Sequence, residues 1–316
     1  CMQACTRSMM ISPCSEEITD LQPLTKGEMA DPQYASGVGK LGWLVAISRP
    51  DLAYAHSELS RYNDCAGPGH WEALINVIHY LRKHPFDGIL LKRSGGLQLE
   101  ANCDSDFNGC KDERTSKTGV TIDVGGSLIE HFSRSQKWTA KSVGQAEYHA
   151  MASCAAELLF FRHVLQSIGV PVGTCLVSKS TKNDADKHVP TLFSDSTVAL
   201  GNAAKPINWL SEKLKHVEIH VNFFRQYVQA GQIKCEKVDS ALNKSDVLTK
   251  GFSSRESFRS AVSHFMLELP HKYRPTTTTI HETQPGTPTC AAGALSRRYT
   301  NEPTWDKVPT LASAQE

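Results

Sequence analysis

From about Gly144 to Ile168 the chain carries Met151, Cys154, Leu158, Phe161, Leu165 and Ile168 at alternating spacings of three and four, which puts them on one face of a long helix. Glu147 heads the same face. A carboxylate among packing residues is costly to bury unless a cation or hydrogen-bond donors meet it. Three other acidic residues stand where they could meet it. Asp104 ends a strand-like run (LQLEANCD), Asp195 ends another (TLFSD), and Asp246 opens a short helical stretch (SDVLTK). Taken singly, each has an ordinary explanation. Asp104 could be a turn residue, Glu147 a favourable first-turn charge, and Asp195 and Asp246 helix caps. Taken together they would repel one another unless divalent cations lay between them. Hard oxygen ligands select magnesium or manganese, and two such ions suit in-line displacement at a phosphodiester.

The rest of the chain reads as a mixed α/β order. Residues 1–30 lack a sustained period and are expected to be a poorly ordered lead-in. Residues 31–87 form a small helical unit. Its helices are expected at Tyr34 to Ser48, at Asp51 to Asn63 after the Arg49-Pro50 break, and at His70 to His84 after Pro68. The third should bury Trp71, Leu74, Val77, Ile78 and Leu81, and the His70-Trp71 pair reads as core packing. From Gly88 the period shortens to that of strands: Gly88 to Leu91, Leu97 to Cys103, Gly119 to Val124 and Ser127 to Phe132, with Gly125-Gly126 as a hairpin turn. After the long helix come a polar linker (Ser178 to Lys187), a strand at Thr191 to Ser194, and helices near Ser196 to Ala203 and Ser211 to Ala230. A strand at Gln232 to Val238 and a helix from Lys244 complete the domain, residues 88–274. Residues 275–316 are Pro/Thr-rich and expected to be disordered.

Composition excludes several classes. Net charge is +1 over 316 residues, so nucleic acid would have to be held by a local patch. The ten cysteines form no CxxC pair, which argues against a zinc ribbon, and a reducing compartment is the simpler setting. No apolar run reaches the roughly 20 residues needed to span a bilayer, and no basic-then-apolar signal peptide is present. The expectation is a cytoplasmic (retroelement particle) or nuclear protein, not a secreted or membrane one. The first residue, Cys1, suggests a piece of a longer polyprotein or a conceptual gene product.

Collinear motifs extend the carboxylate pattern. NCDSDFNG resembles the first-strand motif of copia-type retrotransposon ribonuclease H domains, and KDERTSKTG resembles the stretch that follows it. SRSQKWTAKSVGQAEYHAM, LFSDSTVAL, KHVEIHVNFFR and SDVLTKGF resemble the later motifs in order. Upstream, YASGVGKLGWLVAISRPDLAYAHSELSRY and PGHWEALINVIHYLRKHP resemble the connection between reverse transcriptase and ribonuclease H in the same family. The resemblance runs from about Asp31 to Phe265. It implies a ribonuclease H-like mixed five-stranded sheet flanked by helices, preceded by the helical connection. It also implies a metal-dependent endonuclease that hydrolyses RNA in RNA–DNA hybrids with two Mg2+ ions (Mn2+ in their place). Asp104 would bridge the ions. Glu147 and Asp195 would complete the one on the leaving-group side, and Asp246 would help hold the other. Asp106 would have at most a supporting role.

Gln145 stands where the family has Glu, in a position expected to point away from the site, and the surrounding SVGQ could change how the helix begins. Asn222 stands where the family often has His, with His216 and His220 nearby, and Ser196 replaces an Asn. Lys111, Arg114, Lys117, Arg134, Lys137 and Lys141 cluster in sequence around Asp104 and Glu147, and Lys205, Lys213 and Lys215 follow Asp195. They are expected phosphate contacts, or else a solvated basic face. Trp138 could stack on a nucleotide or pack on its own domain. No Y-x-D-D polymerase hairpin is present, so a polymerase would have to be supplied by the intact polyprotein. One rival reading is an inactive retroelement remnant that folds and binds nucleic acid. The other is an integrase or proofreading exonuclease. An integrase would bring a His/Cys zinc segment, and an exonuclease would place Asp and Glu together on the first strand.

Overall fold

The structure is a computed structural model. It describes residues 31–93, 96–109, 114–137, 139–170, 172, 189–206, 223–252 and 254–267, all within one unit of the chain, residues 1–273. The expected lead-in, the linker, the first half of the helix expected at Ser211 to Ala230, and the tail lie outside the described residues.

The helical unit begins where Asp31 accepts the Gln33 amide and Pro32 supplies the first turn of α1 (Pro32–Ile47). A 3-10 turn (Pro50–Leu52) leads into α2 (Ala53–Ser60), so the second expected helix is shorter than its sequence pattern. Helix α3 (Pro68–Lys83) buries His70, Ala73, Leu74, Val77 and Tyr80. Leu74 and Val77 of the expected stripe are buried and Trp71 and Leu81 pack partly buried against the same core, while Ile78 is exposed. Two polar side chains anchor the helix. His70 Nδ1 accepts the Gly67 amide (3.1 Å), and the Tyr80 hydroxyl donates to Asp51 (2.9 Å). Asp51 is also gripped twice by Arg49, at 2.9 and 2.7 Å, so the Arg-Pro break is itself a buried, paired element.

The central sheet has the order β4–β3–β2–β5–β6. Strands β2 (Leu99–Asp106), β3 (Lys117–Val124) and β4 (Ser127–Ser135) form an antiparallel meander, while β5 (Thr191–Ser194) and β6 (Lys234–Lys237) run parallel to β2. Gly125 and Gly126, at φ 58° and 74°, make the two-residue turn between β3 and β4. Helix α4 (Val143–Ser167) lies on this sheet with Met151, Cys154 and Leu158 fully buried. Its stripe leaves the core at the end, where Ile168 is exposed. Shorter helices α5 (Thr197–Ala203) and α6 (Arg225–Gln229) complete that core.

The final helix expected from Lys244 is instead a 3-10 segment, Lys244–Leu248, followed by a separate α7 (Arg255–Val262). The chain then pairs β7 (Met266–Leu267), which the sequence did not suggest, with β1 (Gly88–Ile89), which lies within the strand expected at Gly88 to Leu91, in a two-stranded ribbon. Val247, Leu248, Phe258, Phe265 and Met266 share one core with α1, α2 and α3. The helical unit is thus packed from both ends of the described chain. No described helix is long and apolar enough to cross a membrane.

Candidate metal centre

Asp104 lies on β2, the strand at which the antiparallel and parallel halves of the sheet meet. Glu147 sits on the first turns of α4, which crosses that strand, and Asp195 directly follows β5, the parallel neighbour of β2. One carboxylate oxygen from each lies within 4.8 Å of the other two. Asp104 and Glu147 are buried and Asp195 is half-buried. The ordinary capping explanations do not hold. The cap of α5 is Ser196, whose hydroxyl accepts the Ala199 amide, and the cap of the Lys244–Leu248 segment is Asn243. The replacement of Asn by Ser at 196 therefore preserves a cap. The start of α4 is also sound, because Ser142 accepts the Gln145 amide while Gln145 accepts the Lys141 amide at 2.8 Å.

Asp246 is half-buried on the 3-10 segment and does not belong to the three-oxygen cluster. It is close enough to raise the pKa of Asp104, and it pairs with Lys250 at 2.8 Å. Its segment is fastened to β2 by side chains. Asn243 donates to the Cys103 carbonyl (3.1 Å), Ser245 to the Asn102 carbonyl (2.7 Å), and Thr249 to Asp104 (2.5 Å). Lys244 closes the segment onto buried Asp123 of β3 at 2.8 Å. Thr249 and Lys250 belong to the SDVLTK motif, yet only its aspartate had drawn a role. The signal was that both follow Asp246 within one turn.

The electrostatics favour a cation among these carboxylates. Burial, then the neighbouring Asp246 and Asp195, lift the Asp104 pKa to about 6, against relief from Thr249 and Lys250. Burial, then Asp104 and Asp195, lift Glu147 to about 8, offset in part by neighbouring Ser105. Among the described residues Glu147 Oε2, which is buried, has no hydrogen-bond partner. Carboxylate oxygens are hard donors, and a buried carboxylate with one oxygen unpartnered, gathered with two others, suits a divalent cation better than it suits a structural ion pair. Asp104, Glu147 and Asp195 would hold such an ion, with Asp246 at the margin.

The basic residues divide. Arg114, Arg134, Lys137 and Lys141 are exposed, and Arg134 lies over the Phe132 ring at 4.1 Å. Lys117 corrects the expectation of a phosphate contact. Its side chain is 4% exposed, bonded to the Ser57 hydroxyl (2.9 Å) and ion-paired with Glu58 of α2, so it ties the helical unit to β3 instead of facing solvent. Lys205 bonds Asn202 at 3.2 Å. Asp106 is half-buried near Lys117, Lys250 and Glu58. Lys111, Trp138, Lys213, Lys215, His216, His220 and Asn222 lie outside the described residues.

A three-strand meander joined to two parallel strands, with acidic residues gathered at the central strand, defines a ribonuclease H-like α/β domain. No protein-family model matches the chain. It is 31% identical over 227 residues to the retrovirus-related Pol polyprotein from transposon RE2 of Arabidopsis thaliana, covering 72% of this chain and 14% of that protein. The corresponding polyprotein from transposon RE1 is 30% identical over 237 residues, 75% of this chain and 15% of that protein. A protein from Plasmopara viticola named secreted RxLR effector protein 161 is 31% identical over 132 residues, 42% of this chain and 93% of its own length. Among solved structures, LC11-RNase H1 from compost aligns at 14% identity with a TM-score of 0.33, over 52% of this chain and 98% of that one. The chain's relatives are retrovirus-related Pol polyproteins from plant transposons, similar over about three quarters of this chain, and it spans about a seventh of the length of the two Arabidopsis relatives.

Proposed function

We propose that this chain is the ribonuclease H portion of a retroelement Pol protein and hydrolyses the RNA strand of RNA–DNA hybrids. The observation that carries the reading is the orphaned Glu147 Oε2 beside Asp104 and Asp195, an all-oxygen donor set that calls for divalent cations. Two Mg2+ ions, or Mn2+, would supply a water nucleophile and neutralise charge on the phosphate when bound. Asp104, Glu147, Asp195 and Asp246 would hold them. Thr249 keeps the Asp104 carboxylate aimed, and Ser240 does the same for Asp195 through a 2.7 Å bond. Arg114, Arg134, Lys137 and Lys141 would meet the hybrid's phosphates and, with neighbouring polar groups, the 2′-hydroxyls of the cut strand. A polymerase domain elsewhere in the polyprotein would deliver the hybrid, in a retroelement particle or the nucleus.

The test is cleavage of an end-labelled RNA–DNA hybrid in Mg2+, with Asp104→Asn beside the wild type. Internal cuts in the RNA strand by the wild type alone support the reading. Equal inertness of the two proteins rejects it and leaves a folded, inactive remnant.

A further inference from the structure

Three lysines stand around the carboxylates, and they are held differently. Lys117 is sealed against Glu58 and Ser57, and Lys244 is fastened to Asp123, whose side chain is 1% exposed. Lys250 is 49% exposed, yet its ammonium lies 2.8 Å from Asp246. Its backbone follows Thr249, which is clamped both to Asp104 and to the Asp246 carbonyl, so the root of the side chain is fixed while its four-carbon stem is free to turn. The Lys250 charge also reaches Asp104 and Asp106.

We propose that Lys250 is a built-in counter-cation, occupying the Asp246 side of the site in the metal-free protein and swinging out when a divalent cation is held there. This inference rests on the metal-binding reading of the site. Asp246 cannot give the same oxygen to the ammonium and to a metal ion at full strength, so the two cations compete. A half-exposed ammonium gives way to a divalent ion at little cost, where one locked as Lys244 is would not. The competition falls on the ion at Asp246, while the ion among Asp104, Glu147 and Asp195 feels only the longer-range charge. Lys250 therefore sets the concentration at which the second cation enters, and it keeps the acidic set from repelling itself apart when metal is scarce.

The test is Mn2+ binding to the full chain without nucleic acid, followed by electron paramagnetic resonance and calorimetry. Lys250→Gln should tighten the weaker Mn2+ site roughly fivefold, the scale of an exposed ion pair. Lys250→Arg should stay near the wild type. Lys40→Gln, the same charge change on the exposed side of α1, should leave binding unchanged. In an Asp246→Asn background the Lys250→Gln effect should disappear. Equal or weaker Mn2+ binding by Lys250→Gln overturns the proposal, as does an equal gain from Lys40→Gln. Failure of the underlying reading looks different: Asp104→Asn would then remove no bound Mn2+ from either the wild type or Lys250→Gln.

Discussion

Asp104 and Gly119 are register partners across β2 and β3, and the missing side chain of Gly119 is what lets the Asp246 segment reach Asp104. A Cβ at 119 would lie 2.8 Å from the Ser245 carbonyl and from Thr249 Cγ2, and 2.9 Å from Leu248 Cβ. Backbone and a packed side chain cannot yield there as a flexible tip could. Gly119→Ala should push the 243–249 segment off the sheet and destabilise the fold by about 1–3 kcal/mol, as overpacking does. Urea unfolding measures the stability loss. Mg2+-dependent cleavage should fall further than the loss of folded protein explains, because Asp246 and Thr249 move together.

The anchors of the same segment make a second prediction. Asn243 donates to the Cys103 carbonyl and accepts the Ser245 amide, at 3.1 and 3.2 Å. Asn243→Ala leaves both buried groups unpaired and should cost about 1–3 kcal/mol. Ser245→Ala, which loses the 2.7 Å bond to the Asn102 carbonyl, should cost less, about 1 kcal/mol. In both variants hydrogen exchange should rise along 243–249 before it rises in β2.

The carboxylates predict an unusual pH dependence for the metal-free protein. Glu147 rises from 4.5 to about 8 on folding, and Asp104 from 3.8 to about 6. The folded state therefore holds more protons than the unfolded one between those values, so this contribution to stability declines as pH rises and levels off above about 8. Thermal unfolding in chelator should show Glu147→Gln melting several degrees above wild type at pH 8 and close to it at pH 4.5. Saturating Mg2+ should restore the wild type at pH 8 and do little for the variant.

Lys117 and Arg134 should part company in binding experiments. Arg134→Ala, Lys137→Ala and Lys141→Ala should each weaken hybrid binding and reduce the salt slope by about one, the signature of a lost phosphate contact. Lys117→Met should leave the slope unchanged while destabilising the protein by about 1–3 kcal/mol, because buried Glu58 loses one of its two cationic partners and keeps only Arg61, at 3.1 Å. A Lys117→Met protein of normal stability would contradict the buried ion pair.

The long helix was legible because its stripe needs only its own residues. Met151, Cys154 and Leu158 repeat at helical spacing, and Glu147 is conspicuous on that face. The Gly125-Gly126 turn was legible because positive φ selects glycine. The stripe of α3 was legible at Leu74 and Val77 but not at Ile78, because the buried face leans toward Tyr80, a polar-ended residue whose partner, Asp51, a helical stripe does not reveal. Of the β1–β7 ribbon, β1 lies within the strand expected at Gly88 to Leu91, while β7 went unseen because a two-residue strand has no period to read and its partner stands almost 180 residues away in the chain. Lys117 was misjudged because a basic residue near an acidic motif looks alike whether it faces solvent or a buried Glu58. Thr249 was missed because its role exists only once the 3-10 segment lies across β2.

Anomalous scattering from crystals soaked in Mn2+ tests the account most directly. The prediction is a peak bounded by Asp104, Glu147 and Asp195, absent from the Asp104→Asn protein. A map without density there at saturating Mn2+, with the three side chains in place, would contradict it.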